Sequence, residues 1–216
     1  MKKTILLAIG TTLMFGCSTL NTDIISQPDT TEPKPILSAE VNEITVPVWV
    51  STGSGVFQPD NQGNSEAFFG VGKAKPIEPA KQIQFVADDD ARNNLAQVLG
   101  DFNEGLIKYH QSAKSSSEPG WISEEKLQMV INDTAVTLLL QTEVTDSWDH
   151  PTTGEVFSLA RLDFKGVQEA LTTSNDLSQD EQESVRFISK WVFEDMKLLK
   201  ERKLLFNKMS GAMVTE

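Results

Sequence analysis

Apolar and polar residues change rhythm several times along this chain, and each change predicts an element. From Glu78 onward, Ile83, Ala87, Ala91, Leu95, Leu99, Phe102 and Leu106 recur at intervals of three and four. That spacing predicts one long amphipathic helix to about Tyr109, ended by His110 and the polar run SAKSSSEPG. Just before it, EAFFGVGKA (66–74) has strand composition with Gly70 and Gly72 inside. Glycines there let a helix lie close on the strand, and small Ala87 and Ala91 on the helix face allow the same approach. Residues 123–136 read as a second helix, capped by Ser123 with Glu124 and Glu125 in its first turn. Leu138 to Trp148 then reads as a strand, DHPTTGE as a turn and 155–164 as the returning strand, so the pair forms an antiparallel hairpin. A short helix follows near Val167 to Leu171.

The last helix should span Ser178 to Asn207, with Val185, Ile188, Val192, Leu199 and Phe206 on its main apolar face. Phe187, Trp191 and Leu198 widen that face beyond the roughly 100° that packing on one sheet requires. Trp191 and Leu198 are therefore candidate partner-binding residues, for a second copy of the chain or a partner helix; the alternative is that they cover a second surface of their own domain. These elements predict an α+β fold: a small antiparallel sheet with long amphipathic helices packed on one face, spanning residues 47–209.

The N-terminus carries a different pattern. Lys2 and Lys3 precede twelve mostly apolar residues, Thr4 to Phe15, and then Gly16 and Cys17. The stretch matches the apolar region of a secretory signal and is too short to span a bilayer permanently. Cys17 is the only cysteine, so it has no intramolecular disulfide partner. The segment resembles a bacterial lipoprotein signal, residues 1–16, with Met14-Phe15-Gly16-Cys17 as its lipobox. The resemblance implies lipidation of Cys17 with cleavage before it, palmitate among the acyl groups, and anchoring in the lipid bilayer. Ser18, rather than aspartate, implies sorting to the outer membrane, with the domain facing the periplasm.

Residues 18–46 hold Pro28, Pro33 and Pro35 in a polar run and read as a tether, so that 17–46 form an acylated cysteine and its flexible spacer. A chain of about 29 such residues would hold the domain roughly 30 Å from the membrane. The folded part begins near VPVWV (46–50), with Trp49 as a core anchor. STGSGVFQPDNQGNSE (51–66) reads as a surface loop. Its DNQGNSE portion is not an EF-hand, because Ser65 stands where the glycine turn is required. Gly70-x-Gly72 is not a dinucleotide fingerprint either, since Lys75 replaces the third glycine.

Charge narrows the chemistry. The chain has 31 acidic and 19 basic residues, net −12, and loss of Lys2 and Lys3 would make it −14. That balance argues against nucleic acid and against docking on anionic lipid. Asp88, Asp89 and Asp90 point about 100° apart on a helix and cannot converge on a metal, so they read as a solvated face. The two histidines, His110 and His150, sit in polar, loop-like settings, and no serine lies in a Gly-x-Ser-x-Gly elbow. No residues are assigned as catalytic, cofactor-binding or metal-binding, and the expectation is a non-enzymatic protein.

FFGVGKA, ADDDARNNLAQ (87–97) and DSWDHPTTGEVFSLARLDF (146–164), in that order behind a lipobox, resemble the LPP-twenty family of bacterial lipoproteins over residues 47–170. The resemblance implies an envelope-anchored α+β domain; with no catalytic constellation in the sequence, the leading expectation is that this domain binds another cell-envelope component. Some relatives assist flagellar assembly, so an accessory role in a flagellar or secretion machine is the alternative, with an envelope hydrolase third.

Overall fold

The structure, a computed structural model, describes residues 44–58, 66–76, 79, 82–113, 120–173 and 176–212. Cys17 and most of the tether lie outside them. The described elements are α1 (Val48–Thr52), β1 (Gly55–Val56), β2 (Ala67–Ala74), α2 (Ile83–Ser112), α3 (Glu124–Leu140), β3 (Glu143–Asp149), β4 (Val156–Asp163), α4 (Phe164–Thr172) and α5 (Gln179–Ala212). The strands form one antiparallel sheet in the order β1-β2-β4-β3. The fold is α+β, with the long helices against one face of the sheet.

Alternation along β2 sorts its residues between the two faces. Phe68 enters the main core with Leu95, Phe102, Phe164, Ile188 and Phe193. Phe69 faces the opposite way and meets Trp49 and Leu159. Gly70 and Gly72 share the helix-facing side. A Cβ on Gly70 would lie 2.2 Å from the Ala91 carbonyl oxygen, and one on Gly72 would lie 2.1 Å from the Ala91 nitrogen. The glycines are therefore the reason α2 can sit on β2 backbone to backbone.

That approach also solves an edge problem. β1 is two residues long and pairs only with Phe68 and Phe69, so the rest of β2 would expose unpaired backbone groups. Side chains take their place. The Val71 N–H donates to Ser54 Oγ at 2.9 Å, Asn94 donates to the Val71 carbonyl at 2.9 Å, and the Lys73 N–H donates to Asp90 at 2.8 Å. The far edge, β3, carries a register irregularity between Val144 and Asp146, together with Glu143, Asp146 and Asp149. Irregular, charged edges resist pairing with another strand.

Several boundaries differ from the sequence reading. α2 begins at Ile83, because Pro79 closes a turn through its carbonyl to the Gln82 N–H at 3.0 Å. Residues 138–140 belong to α3, not to a strand. Leu138 is buried in line with Leu127, Val130 and Ile131, so helix packing overrides the strand composition of that run. β3 starts at Glu143. Residues 51–66 are not simply surface loop, since Gly55–Val56 is a strand and Val56 is buried. Ser123 caps α3, accepting from the Lys126 N–H at 3.3 Å. Trp49 is a core residue, and its Nε1 donates to Asp146 at 3.0 Å.

α5 opens with a capping box that joins it to α3. The Ser178 N–H donates to Glu181 at 2.9 Å, the Glu181 N–H donates to Ser178 Oγ at 3.2 Å, and Lys126 Nζ reaches the other Glu181 oxygen at 2.7 Å. The Lys126 hydrogen bond, then the Ser178 N–H, hold the Glu181 carboxyl below its ordinary value of 4.5 against an opposing effect of burial. In the unfolded chain that carboxyl protonates near 4.5, and in the folded chain only at lower pH. Its contribution is complete above 4.5 and drains away as the pH falls through the lowered folded value. Glu181→Gln should therefore melt earlier than wild type at neutral pH, and the gap should close on acidification below 4.5. A thermal-melting series across pH checks this, and a gap that stays constant into acid would contradict it.

Farther along α5, Lys200 Nζ donates to the carbonyls of Thr52 at 2.8 Å, Gly53 at 3.3 Å and Ser54 at 2.7 Å. Burial pushes this ammonium's pKa down, and the Lys203 charge adds to that. The cation sits at the negative end of α1 and ties the entry of the domain to its last helix. Among the described residues, these are the last hydrogen bonds α5 makes to the rest of the body.

Candidate functional site

The main apolar face expected for α5 divides at this point. Val185, Ile188 and Val192 are buried, whereas Leu199 and Phe206 are 55% and 70% exposed. The helix is about 50 Å long and runs past the layer it packs on. Phe193, absent from the expected face, is fully buried instead.

Trp191 and Leu198 lie on the outward side of α5, 48% and 49% exposed. Each keeps about half of its surface in water. Trp191 belongs to an aromatic platform drawn from three segments. Its ring lies 4.4 Å from Tyr109 of α2; Tyr109 lies 6.2 Å from Phe187, and Phe187 lies 6.3 Å from Trp121. Leu198 continues the same side two turns farther along. Tyr109 and Trp121 could not be assigned to this site from the sequence, because nothing in local spacing connects them to residue 191.

His110 supports the platform from beneath. It is not in a loop: it lies in the last turn of α2 and is buried. Its Nε2 donates to the Ile122 carbonyl at 2.7 Å, and its ring lies 6.3 Å from Trp121. The imidazole thus pins the segment carrying Trp121 to the end of α2. His150 has a local task in the β3–β4 turn, where Nδ1 accepts from the N–H groups of Thr152 and Thr153, both at 3.2 Å.

Each of the three consecutive aspartates has its own partner. Asp88 accepts from Ser158 Oγ at 2.6 Å and Gln84 Nε2 at 2.7 Å, Asp89 pairs with Arg92 at 3.6 Å, and Asp90 holds the β2 edge. The solvated-face reading holds for exposed Asp89 alone, since Asp88 and Asp90 are half-buried against the sheet. Among the described residues, no three His, Cys, Asp or Glu side chains converge as metal ligands, and no helix is long and apolar enough to cross a membrane.

A groove of about 830 Å³ lies where β4 passes into α4 and is bordered by Glu66, Arg161, Lys165 and Lys190. Its cations are matched internally: Arg161 pairs with Asp163, Lys165 with Glu169, and Lys190 with Glu66. For Lys190, burial works against the charge, but the hydrogen bonds to Glu66 and Glu194 outweigh it and raise the pKa. Ions satisfied by one another offer little to a charged ligand. The aromatic platform, by contrast, leaves about half of Phe187 and of Trp191 exposed among the described residues. Compared with known proteins, the chain matches no family model and no curated sequence.

Proposed function

We propose that this chain is a non-enzymatic lipoprotein of the outer membrane, acylated at Cys17, whose periplasmic α+β domain binds another component of the cell envelope. The observation that carries the location is the apolar leader ending at Gly16-Cys17. Phe187 and Trp191, exposed on a base of half-buried Tyr109 and Trp121, support the binding role, because aromatic side chains are enriched where interfaces form. The resemblance to the LPP-twenty family supports the same reading.

The full chain expressed in a bacterium should take up a palmitate analogue. Cys17→Ser should abolish the label and leave a precursor that keeps residues 1–16. Acylation with about 0.8 kcal/mol per buried methylene makes this an all-or-none change in membrane association. Wild-type protein that stays unlabelled would overturn the assignment.

A further inference from the structure

The outward side of α5 is more regular than a loose apolar surface. Trp191, Asp195, Leu198, Arg202, Leu205 and Met209 recur at intervals of four, three, four, three and four, and all six are exposed. Spacing of this kind makes a continuous seam for another helix. Two of the six are charged, with opposite signs, at equivalent places in the repeat. Among the described residues, neither Asp195 nor Arg202 has an ion-pair partner.

We propose that two copies of this chain pair through α5 in antiparallel orientation, with Asp195 of each copy beside the partner's Arg202. The charges choose the orientation. A parallel pair would place Asp195 on the partner's Asp195 and Arg202 on the partner's Arg202, burying like charges against each other. An antiparallel pair gives each of these charges an opposite one, the way a polar seam position sets register and orientation. The flanks agree. Residues 179–195 carry five acids and two bases, net −3, whereas residues 196–212 carry five bases and one acid, net +4. Antiparallel overlap lays the basic end of one helix on the acidic half of the other.

The seam is shorter than three heptads, too short to stabilise an isolated coiled coil. Here, however, packing in the core holds the first half of the helix, and the Lys200 contacts hold it beyond the middle. Association therefore carries a reduced ordering cost. An anionic lipid surface fits the stripe less well than a second copy: Asp195 lies inside the apolar side, and the chain outside residues 196–212 has a net charge of −16 against the segment's +4. The pairing goes beyond the proposed envelope function and does not depend on acylation.

The test is the mass of the full chain in detergent by light scattering, with Asp195→Arg, Arg202→Asp and the two combined. Wild type should be a dimer. Each single change creates two like-charge contacts and should weaken the dimer at least about tenfold. The double variant should recover it, and thermal melting should show all variants folded, since both sites are exposed. A monomeric wild type, singles that dimerise normally as a parallel pair predicts, or a double that fails to recover would overturn the proposal. A monomer whose binding to phosphatidylglycerol vesicles rises with Asp195→Arg and falls with Arg202→Asp would also overturn it and point to the membrane.

Discussion

Replacing Gly72 with alanine should destabilise the domain by about 3 kcal/mol or more, the upper end of what overpacking costs in ordinary cores. A single methyl group there meets backbone, not a side chain that can turn away: the Ala91 nitrogen at 2.1 Å and the Ala87 carbonyl oxygen at 2.4 Å. Gly70 is in the same position, with the Ala91 carbonyl at 2.2 Å and the Leu95 nitrogen at 2.4 Å. Relief requires α2 to lift as a rod. Lifting it would strip Asp90 and Asn94 from the β2 edge and open the contacts of Leu95 and Phe102. Two other glycines calibrate the measurement. A Cβ on Gly105 meets Val192 Cγ1 at 2.6 Å, a side-chain atom that can shift, so Gly105→Ala should cost less. Gly100 has nothing within 4 Å, and Gly100→Ala should stabilise the helix by about 0.5–1 kcal/mol. Urea denaturation of the four variants gives the order. Gly72→Ala as stable as Gly100→Ala would mean that α2 does not rest on β2 as described.

What could be read in the sequence follows from how local each feature is. Gly70 and Gly72 stand two apart in a strand, opposite a helix stripe of alanines, and both halves of that contact are visible in the residue order. The boundary at Leu138 was not legible, because a leucine run with threonine and valine after it satisfies strand and helix patterns equally. Burial beside Leu127 and Val130 decided it. His110 looked like part of the polar run that follows it, yet its environment is set by the Ile122 carbonyl and Trp121, which return to it only through the turn of the chain. The apolar period of α5 is regular well past Lys200, and a regular period does not say where the body beneath it stops. That is why Leu199 and Phe206, expected in the core, stand in the open. A neighbouring stripe, one residue round the helix from Leu199 and Phe206, places Leu198, Leu205 and Met209 in the seam.

The other large effect separates the two aromatic clusters of this protein. Phe68 is fully buried, with ring centroids of Phe102 at 5.0 Å, Phe193 at 5.2 Å and Phe164 at 6.2 Å; Phe164 and Phe193 stack at 4.2 Å. These four rings come from β2, α2, α4 and α5, so they join the sheet to three helices at one point. Phe68→Ala removes the central ring and leaves a cavity that rigid neighbours cannot fill, at a cost of about 3–5 kcal/mol. Domains of this size are stable by about 5–15 kcal/mol, so the variant should lose a large share of its stability and melt well below wild type. Trp191, at the other cluster, has its closest ring contact with Tyr109 and keeps nearly half of its surface in water. Trp191→Ala should cost only about 1 kcal/mol in a domain held monomeric by dilution. Its effect should appear instead in dimer mass and in capture of envelope components. Denaturation at low protein concentration measures both costs. If Trp191→Ala were as destabilising as Phe68→Ala, the outward aromatics would belong to the core, and the interface on α5 would lose its basis; a large cost at Phe68 with a small one at Trp191 leaves that face free for a partner.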